Sequence, residues 1–494
     1  MSEIAHFNCS NDRVRAGLRW FGPEDPVTIQ HIRQTPGITH VISALHHIPA
    51  GAIWTEEEIA KRKIEIEFIE HEQAPEHLCG MDRFEWYQQH GQLSGLIWDT
   101  AESLIFTEEI KNGNPLRDEH IEHYNESLRN LGRFGVINVI GNFMLVADWT
   151  RTGLTQLHDG SESLQYVHAA FAAFDIYLLK RHKDEQGYLE DKSYTQHEIT
   201  AARAYWQEHL SDHPDACQRL TDMITAGLPG AQAGFTLDDF RQAISAYKGM
   251  SESNLRDHIS YFLSKVIPVA KEAGVHLCCH SDDPAFTPFL GTPRTVGSAA
   301  GYKFLLDHGC GANFCMGSLM AHEKNRDITG VLREIVEYGR SKQMSIDEIF
   351  PHIHMRPIET EGKNFREGHH ADHRRELAKV VYTLVDLNWK GVFRPDHAPS
   401  SQHGLGRPGY DVIGRGYGAN LLLGLFEMAT MLKESQNKTI EALIQAGHLS
   451  ESERENALNS ARRAVIDSIT QQLSVITLPP AYDDQDEPID LSIG

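Results

Sequence analysis

Four side chains able to bind a metal recur along the second half of the chain, about 35 to 42 residues apart: His280 in HLCCHSDDP, Cys315 in ANFCMGS, His354 in HIHMR and Asp396 in VFRPDH. Each stands at the end of a short apolar run. Alone, such a residue has ordinary structural uses, since a lone Asp more often makes a turn and a lone buried Cys is a small hydrophobe. Four consecutive runs ending the same way are harder to explain structurally. If the runs are parallel strands closed into a barrel, their ends share one rim, and the four donors can meet at one ion. Two imidazoles, a thiolate and a carboxylate suit a transition metal such as Mn²⁺, Fe²⁺, Zn²⁺ or Co²⁺.

Other polar groups crowd these positions. Asp282 and Asp283 follow His280, with a turn or cap before Pro284 as their structural alternative. Arg356, Arg394, His397 and Tyr410 lie beside the later candidates, and RPGY runs into the Gly-rich IGRGYG. A density of ionisable groups of this kind marks a functional site. Near the start, RWFG carries Arg19 and ALHH carries His46 and His47, of which one is expected to bind substrate and the other to support the barrel wall. Arg151 in DWTRT is placed to grip a carboxylate bidentately. The formal charge of −23, with Lys and Arg scattered among acidic neighbours, argues against nucleic acid and leaves an anionic substrate to be captured locally.

The elements that would position these groups alternate. Runs rich in Val, Ile and aromatics lie around Gly17–Gly22, Thr39–Leu45, Gly95–Ser103, Val136–Phe143, Val275–His280, Ala312–Gly317, His352–Arg356 and Val392–Asp396. Helical spacing fills Asp25–Gln34, Glu56–Glu72, Asp118–Leu131, Val296–Asp307, Ile328–Gly339 and Arg374–Leu387. Eight strands alternating with helices predict an α/β fold, a (β/α)₈ TIM barrel, spanning 15–435. A long helical insertion, 161–271, separates strands four and five and emerges on the rim where barrel enzymes keep their sites. Helices are expected over Gly416–Lys433 and about Glu451–Gln472, giving a C-terminal helical extension over 436–475. The stretch 476–494, with Asp and Glu and no periodicity, reads as a poorly ordered acidic tail. Seven scattered cysteines, no secretory layout and no apolar run of about 18 residues point to a cytoplasmic protein with reduced thiols and no membrane partner.

In combination, RWFGPEDPV, ALHHIP with Trp54, ESL at Glu102–Leu104, NFM, DWTRT, HSDDP, the Cys315–Ser318 turn, HMR, RPDH and PGYxxIGR resemble the D-mannonate dehydratase family, from about Arg19 to Gly418. The resemblance implies a xylose-isomerase-like barrel, Mn²⁺ or Fe²⁺, and conversion of D-mannonate to 2-keto-3-deoxy-D-gluconate. It places the metal on His280, Cys315, His354 and Asp396, and the catalytic pair on His397 and Tyr410, with Asp396 shared between the two tasks. Departures fall where substrate should sit. Ser281 and Ala285 replace prolines, Ile105 and Thr107 replace Pro and His, Gly141 replaces Tyr, and Leu145 replaces Pro. Gly141 and Thr107 are expected to enlarge or repolarise the pocket, leaving a different aldonate open as substrate. Two further alternatives are a metal-dependent isomerase or epimerase on the same barrel, and a sugar-acid-binding protein without turnover. A homo-oligomer is compatible with the exposed insertion.

Overall fold

The computed structural model describes residues 13–69, 73–181, 193–226 and 236–471. Eight parallel strands close a barrel: β1 Arg15–Arg19, β2 Ile38–Ser43, β3 Ile97–Glu102, β4 Asn138–Gly141, β5 His276–His280, β6 Gly311–Cys315, β7 His352–His354 and β8 Val392–Arg394, with β8 pairing back onto β1. All eight fall on the expected runs. They read as nearly continuous apolar sequence because parallel strands covered by helices are buried on both faces, and every residue of β6 is buried.

Register sets the site. Cys315 pairs with His354, and His354 pairs with Arg394, so three side chains of like parity stand in one row across β6, β7 and β8. His280 pairs with Asn313, two residues below Cys315 on the same face.

The outer helices form where the 3.6-residue period predicts. In Ile328–Ser341 the buried residues Ile328, Val331, Leu332, Ile335, Val336 and Gly339 make one stripe, and Asp327 caps the start by accepting from Gly330 N. The first expected helix is shorter, Ile29–Arg33, because Thr28 is its N-cap and buried Asp25 instead accepts from Phe21 N and Val27 N. The second runs Glu56–Glu67 and gives way to a short strand, Phe68–Ile69.

A four-stranded antiparallel sheet, absent from the sequence reading, stands beside the barrel. Its order is Ile358–Glu361, Asn364–Glu367, Glu162–Tyr166, Gly153–Gln156, so it joins a hairpin following β4 to another following β7. The Asp159-Gly160 pair, with Gly160 at φ +81°, is the turn signal that marks the first hairpin. The insertion therefore opens as strand before its helices His168–Ala173, Gln196–Tyr205, Pro214–Thr225, Leu237–Ser245 and Glu252–Glu272.

The described residues divide into two compact units with the break after Glu427. The first contains the barrel and the accessory sheet. In the second, the end of helix Val412–Gln445 meets helix Arg454–Gln471 through Gln436 Nε2 donating to Ala461 O, and Arg454 pairs with Glu441 at 3.1 Å. The first of these helices outruns the expected Lys433 because good helix formers continue until Gly447, which takes φ +72°. The stretch expected to be an acidic tail lies outside the described residues. Among the described residues no helix is long and apolar enough to cross a membrane.

Candidate active site

Donor atoms of His280, Cys315 and His354 all lie within 4.8 Å of one another at the C-terminal rim. His280 Nδ1 is 2.6 Å from the carbonyl of Ser281. A carbonyl only accepts, so Nδ1 carries a hydrogen and Nε2 is the ring nitrogen that faces inward, 3.1 Å from His354 Nδ1. Asp396 borders this trio without joining it, with Oδ2 at 3.8 Å from Cys315 Sγ and Oδ1 at 3.9 Å from His354 Nδ1. Asp396 Oδ1 forms no hydrogen bond, although it is buried and only 2.7 Å from Arg394 Nη2. Inward-facing nitrogens, a sulfur and an under-used carboxylate oxygen fit a cation.

The electrostatics agree. Burial opposes charge on His280, but Cys315, Glu102 and Asp396 outweigh it and lift the imidazole to about 9. The field that holds this proton is one that would hold a cation in its place. Burial and then Arg394 push His354 well below its usual value, leaving it neutral as a ligand must be. Burial would raise Asp396, yet it is held well below its ordinary value, with the cationic Arg394 and Arg356 among the groups around it.

Next to this group, His397 Nε2 lies 3.1 Å from the Tyr410 hydroxyl, and His397 Nδ1 lies 2.9 Å from Glu367 Oε2. An ionised carboxylate cannot donate, so Nδ1 carries the hydrogen and Nε2 accepts from Tyr410. The 3.2 Å approach of Arg356 Nη1 to Nδ1 follows from the bond of both to Glu367, whose Oε1 takes Arg356 Nη1 at 2.8 Å. Burial would raise Glu367, yet His397, Arg356 and Arg151 bring it down to about 2. Burial lifts Tyr410 to about 12, outweighing the nearby Arg394, so it keeps its proton.

On the β1 and β3 side, Glu102 gathers Arg19 at 3.0 Å and Arg394 at 2.6 Å, and stands 3.9 Å from His354 Nε2. Arg19 also reaches His46 Nε2 at 3.2 Å. His46 stacks on Phe21, which meets Tyr410 edge-on with centroids 4.9 Å apart. His46 is exposed at the rim, and its crowded surroundings, with Arg19, Arg62 and Arg407 nearby, push the imidazole below its usual value.

A D-mannonate dehydratase profile matches residues 14–77 and 68–436 in two overlapping stretches. The chain belongs to the D-mannonate dehydratase family. It is 37% identical over 423 residues to the mannonate dehydratase of Chromohalobacter salexigens, covering 82% of this chain and 96% of the relative. It is 32% identical over 435 residues to that of Saccharophagus degradans, covering 84% and 98%. The crystal structure of mannonate dehydratase from Streptococcus suis superposes with a TM-score of 0.59 at 25% identity, covering 85% of this chain and 94% of that one. The chain is therefore a sugar-acid dehydratase on a (β/α)₈ barrel.

Within this mannonate dehydratase framework, several expected substrate contacts have other work. All five N–H donors of Arg151 are used: Nε and Nη2 on Glu367, Nη1 and Nη2 on Asp283, and Nη1 on the Thr150 carbonyl. It holds no donor for a substrate carboxylate. Asp283 is spent between Arg151 and Arg356, and Asp282 accepts from Val296 N at 2.7 Å. Arg356 bonds Glu367, Asp283 and Ser318. Arg394 and Arg19 converge on Glu102. His47 pairs with Glu58 on the adjacent outer helix, so of the two rim histidines only His46 turns toward Arg19 and Phe21. The pocket is not enlarged at Gly141, because the Phe106 ring occupies the volume a side chain there would need. Thr107 is buried and bonded to His120 Nδ1 at 2.8 Å. Glu102, which ends β3, and Glu367 were not selected from sequence as site residues, although ESL stood among the quoted motifs; Glu367 lies on an accessory strand, Asn364–Glu367, that the sequence did not reveal.

Proposed function

We propose that this chain dehydrates D-mannonate to 2-keto-3-deoxy-D-gluconate by 2,3-elimination, with a divalent cation held by His280, Cys315, His354 and Asp396. The observation that carries the reading is the pairing of His397 Nε2 with the Tyr410 hydroxyl, 3.1 Å apart beside a converging donor set. The family's general dependence on metal supports the cation, and the names of the relatives support the sugar acid. Mn²⁺ or Fe²⁺ suits the mixed imidazole, carboxylate and thiolate set.

When bound, the cation stabilises the negative charge that develops beside C2 as its proton leaves. His397 takes that proton on Nε2, its Nδ1–H being committed to Glu367. Tyr410 gives its own proton to the C3 hydroxyl, which departs as water. The imidazolium then returns a proton to Tyr410 across their hydrogen bond, and the enol tautomerises to the 2-keto-3-deoxy acid. One H⁺ and one OH⁻ have left together, and both side chains are reset. Asp396 Oδ1, 3.9 Å from His397 Nε2, steadies the transient positive charge. His46 is the neutral rim group placed to meet substrate. We also place the chain in the cytoplasm, in keeping with its free thiols among the described residues.

The test is to supply D-mannonate and a panel of other aldonates with Mn²⁺ or Fe²⁺ and identify products. A 2-keto-3-deoxy acid, one water lighter than substrate, is expected. Conserved mass would indicate an isomerase, and a rise in melting temperature without product would indicate a binding protein. Tyr410→Phe should lower kcat by about 10²–10⁴ with metal content unchanged; unimpaired turnover would remove Tyr410 from the mechanism.

A further inference from the structure

β6 ends at Cys315 and the chain passes directly into the short helix Met316–Met320. Ser318, three residues on, therefore stands one helical turn above Cys315, and both are fully buried. Its hydroxyl oxygen is 3.1 Å from Cys315 Sγ and 2.8 Å from Arg356 Nη2. Gly317 makes the approach feasible, because a Cβ there would press into Arg356 Nε and the Arg356 carbonyl.

The direction of these bonds follows from their chemistry. A guanidinium donates and cannot accept, so Arg356 occupies a lone pair of Ser318 Oγ. The hydroxyl hydrogen is then free, and Cys315 Sγ is the acceptor within reach. Arg356 is itself fixed by Asp283 at 3.0 Å and Glu367 at 2.8 Å, and its Nη2 stands 3.8 Å from the sulfur. The chain Arg356 to Ser318 to Cys315 thus delivers to the sulfur a hydrogen bond backed by a buried positive charge.

We infer that Ser318 is a positioning residue for Cys315, setting the orientation and electron density of the sulfur toward the cation. The inference rests on the cation reading above. Outer hydrogen-bond partners of metal ligands commonly alter affinity by about 10–100-fold. Glu367, the other partner of Arg356, also holds His397, so one buried frame governs both the sulfur donor and the proton-transfer pair.

Co²⁺ titration of the full-length protein, followed by its thiolate-to-cobalt absorption, tests this. The wild type should develop the band and Cys315→Ala should lack it. Ser318→Ala should shift the band to longer wavelength, because a sulfur relieved of a hydrogen bond gives up electron density more readily, and should weaken Co²⁺ binding by about tenfold. Ser318→Thr, which keeps the hydroxyl, should restore the wild-type band. A wild-type protein with no sulfur band overturns the cation reading and this inference with it. A band and affinity left unchanged by Ser318→Ala, or shifted equally by alanine and threonine, overturn the role of Ser318 alone. Circular dichroism on each variant separates these outcomes from misfolding, and should Ser318→Ala not fold, the comparison of Ser318→Thr and Ser318→Gly with wild type decides in its place.

Discussion

Glu367 carries more of the site than any other single side chain, because three buried groups converge on it. Oε1 takes both buried arginines, and His397 Nδ1 lies 3.0 Å from Oε1 and 2.9 Å from Oε2. Glu367→Gln keeps the shape and removes the charge between two guanidiniums that have no solvent to turn to. Breaking a buried pair in this way costs about 3–5 kcal/mol. The pH dependence follows from the direction of the shift. With its value lowered from 4.5 to about 2 in the folded state, Glu367 contributes its full stabilisation above the ordinary carboxylate range and loses it as pH falls toward about 2. Urea denaturation of wild type and Glu367→Gln should therefore show a gap that is constant above pH 5 and closes below it. A gap that persists unchanged in acid would contradict the assignment. The role of Glu367 was hidden from sequence for a plain reason. Its partners Arg151 and His397 lie 216 and 30 residues away, and the accessory strand Asn364–Glu367 is what carries it to them. That His280, Cys315 and His354 would come together was legible because chemistry and position coincided, one per strand. The arginines were legible as residues but not as roles: spacing cannot say that Asp283 and Glu367 occupy every donor of Arg151.

At the scale of elements, the barrel strands announced themselves because burial on both faces enforces apolar runs. The accessory strands did not, since Gly153–Gln156 alternates between exposed and half-buried residues and is only four residues long. Pocket shape was also misread through one position, Gly141, considered without its neighbour. Phe106 lies over Gly141 and packs with Tyr124, Phe143 and Phe262, so volume missing at the end of β4 is supplied from the loop after β3. Gly141→Ala should accordingly act as overpacking and destabilise by about 1–3 kcal/mol in thermal or urea unfolding. In a chain already carrying Phe106→Ala the same change should cost much less, and equal costs in both backgrounds would show that the ring is not the obstacle. The non-additivity is what two residues in contact produce.

For the whole molecule, the donor set predicts a linkage between cation and stability. A ligand that binds only the folded state at one hundred times its Kd stabilises by about 2.7 kcal/mol. Mn²⁺ should raise the melting temperature of the wild type, chelation should reverse the rise, and His354→Ala should abolish it; an equal rise in that variant would place the cation elsewhere. The family match ends at residue 436 and the named site residues lie between Arg19 and Tyr410, so the chemistry belongs to the first compact unit.

Asp396 sits in the left-handed region at φ +70°, a conformation that costs an L-residue roughly 1 kcal/mol. A regular strand sends neighbouring side chains to opposite sides. By leaving that pattern just beyond β8, the backbone aims Asp396 at Cys315 and the adjacent His397 at Tyr410, so a single bend in the chain serves both halves of the proposed elimination. Lengthening or shortening this exit by one residue would sacrifice one half to keep the other.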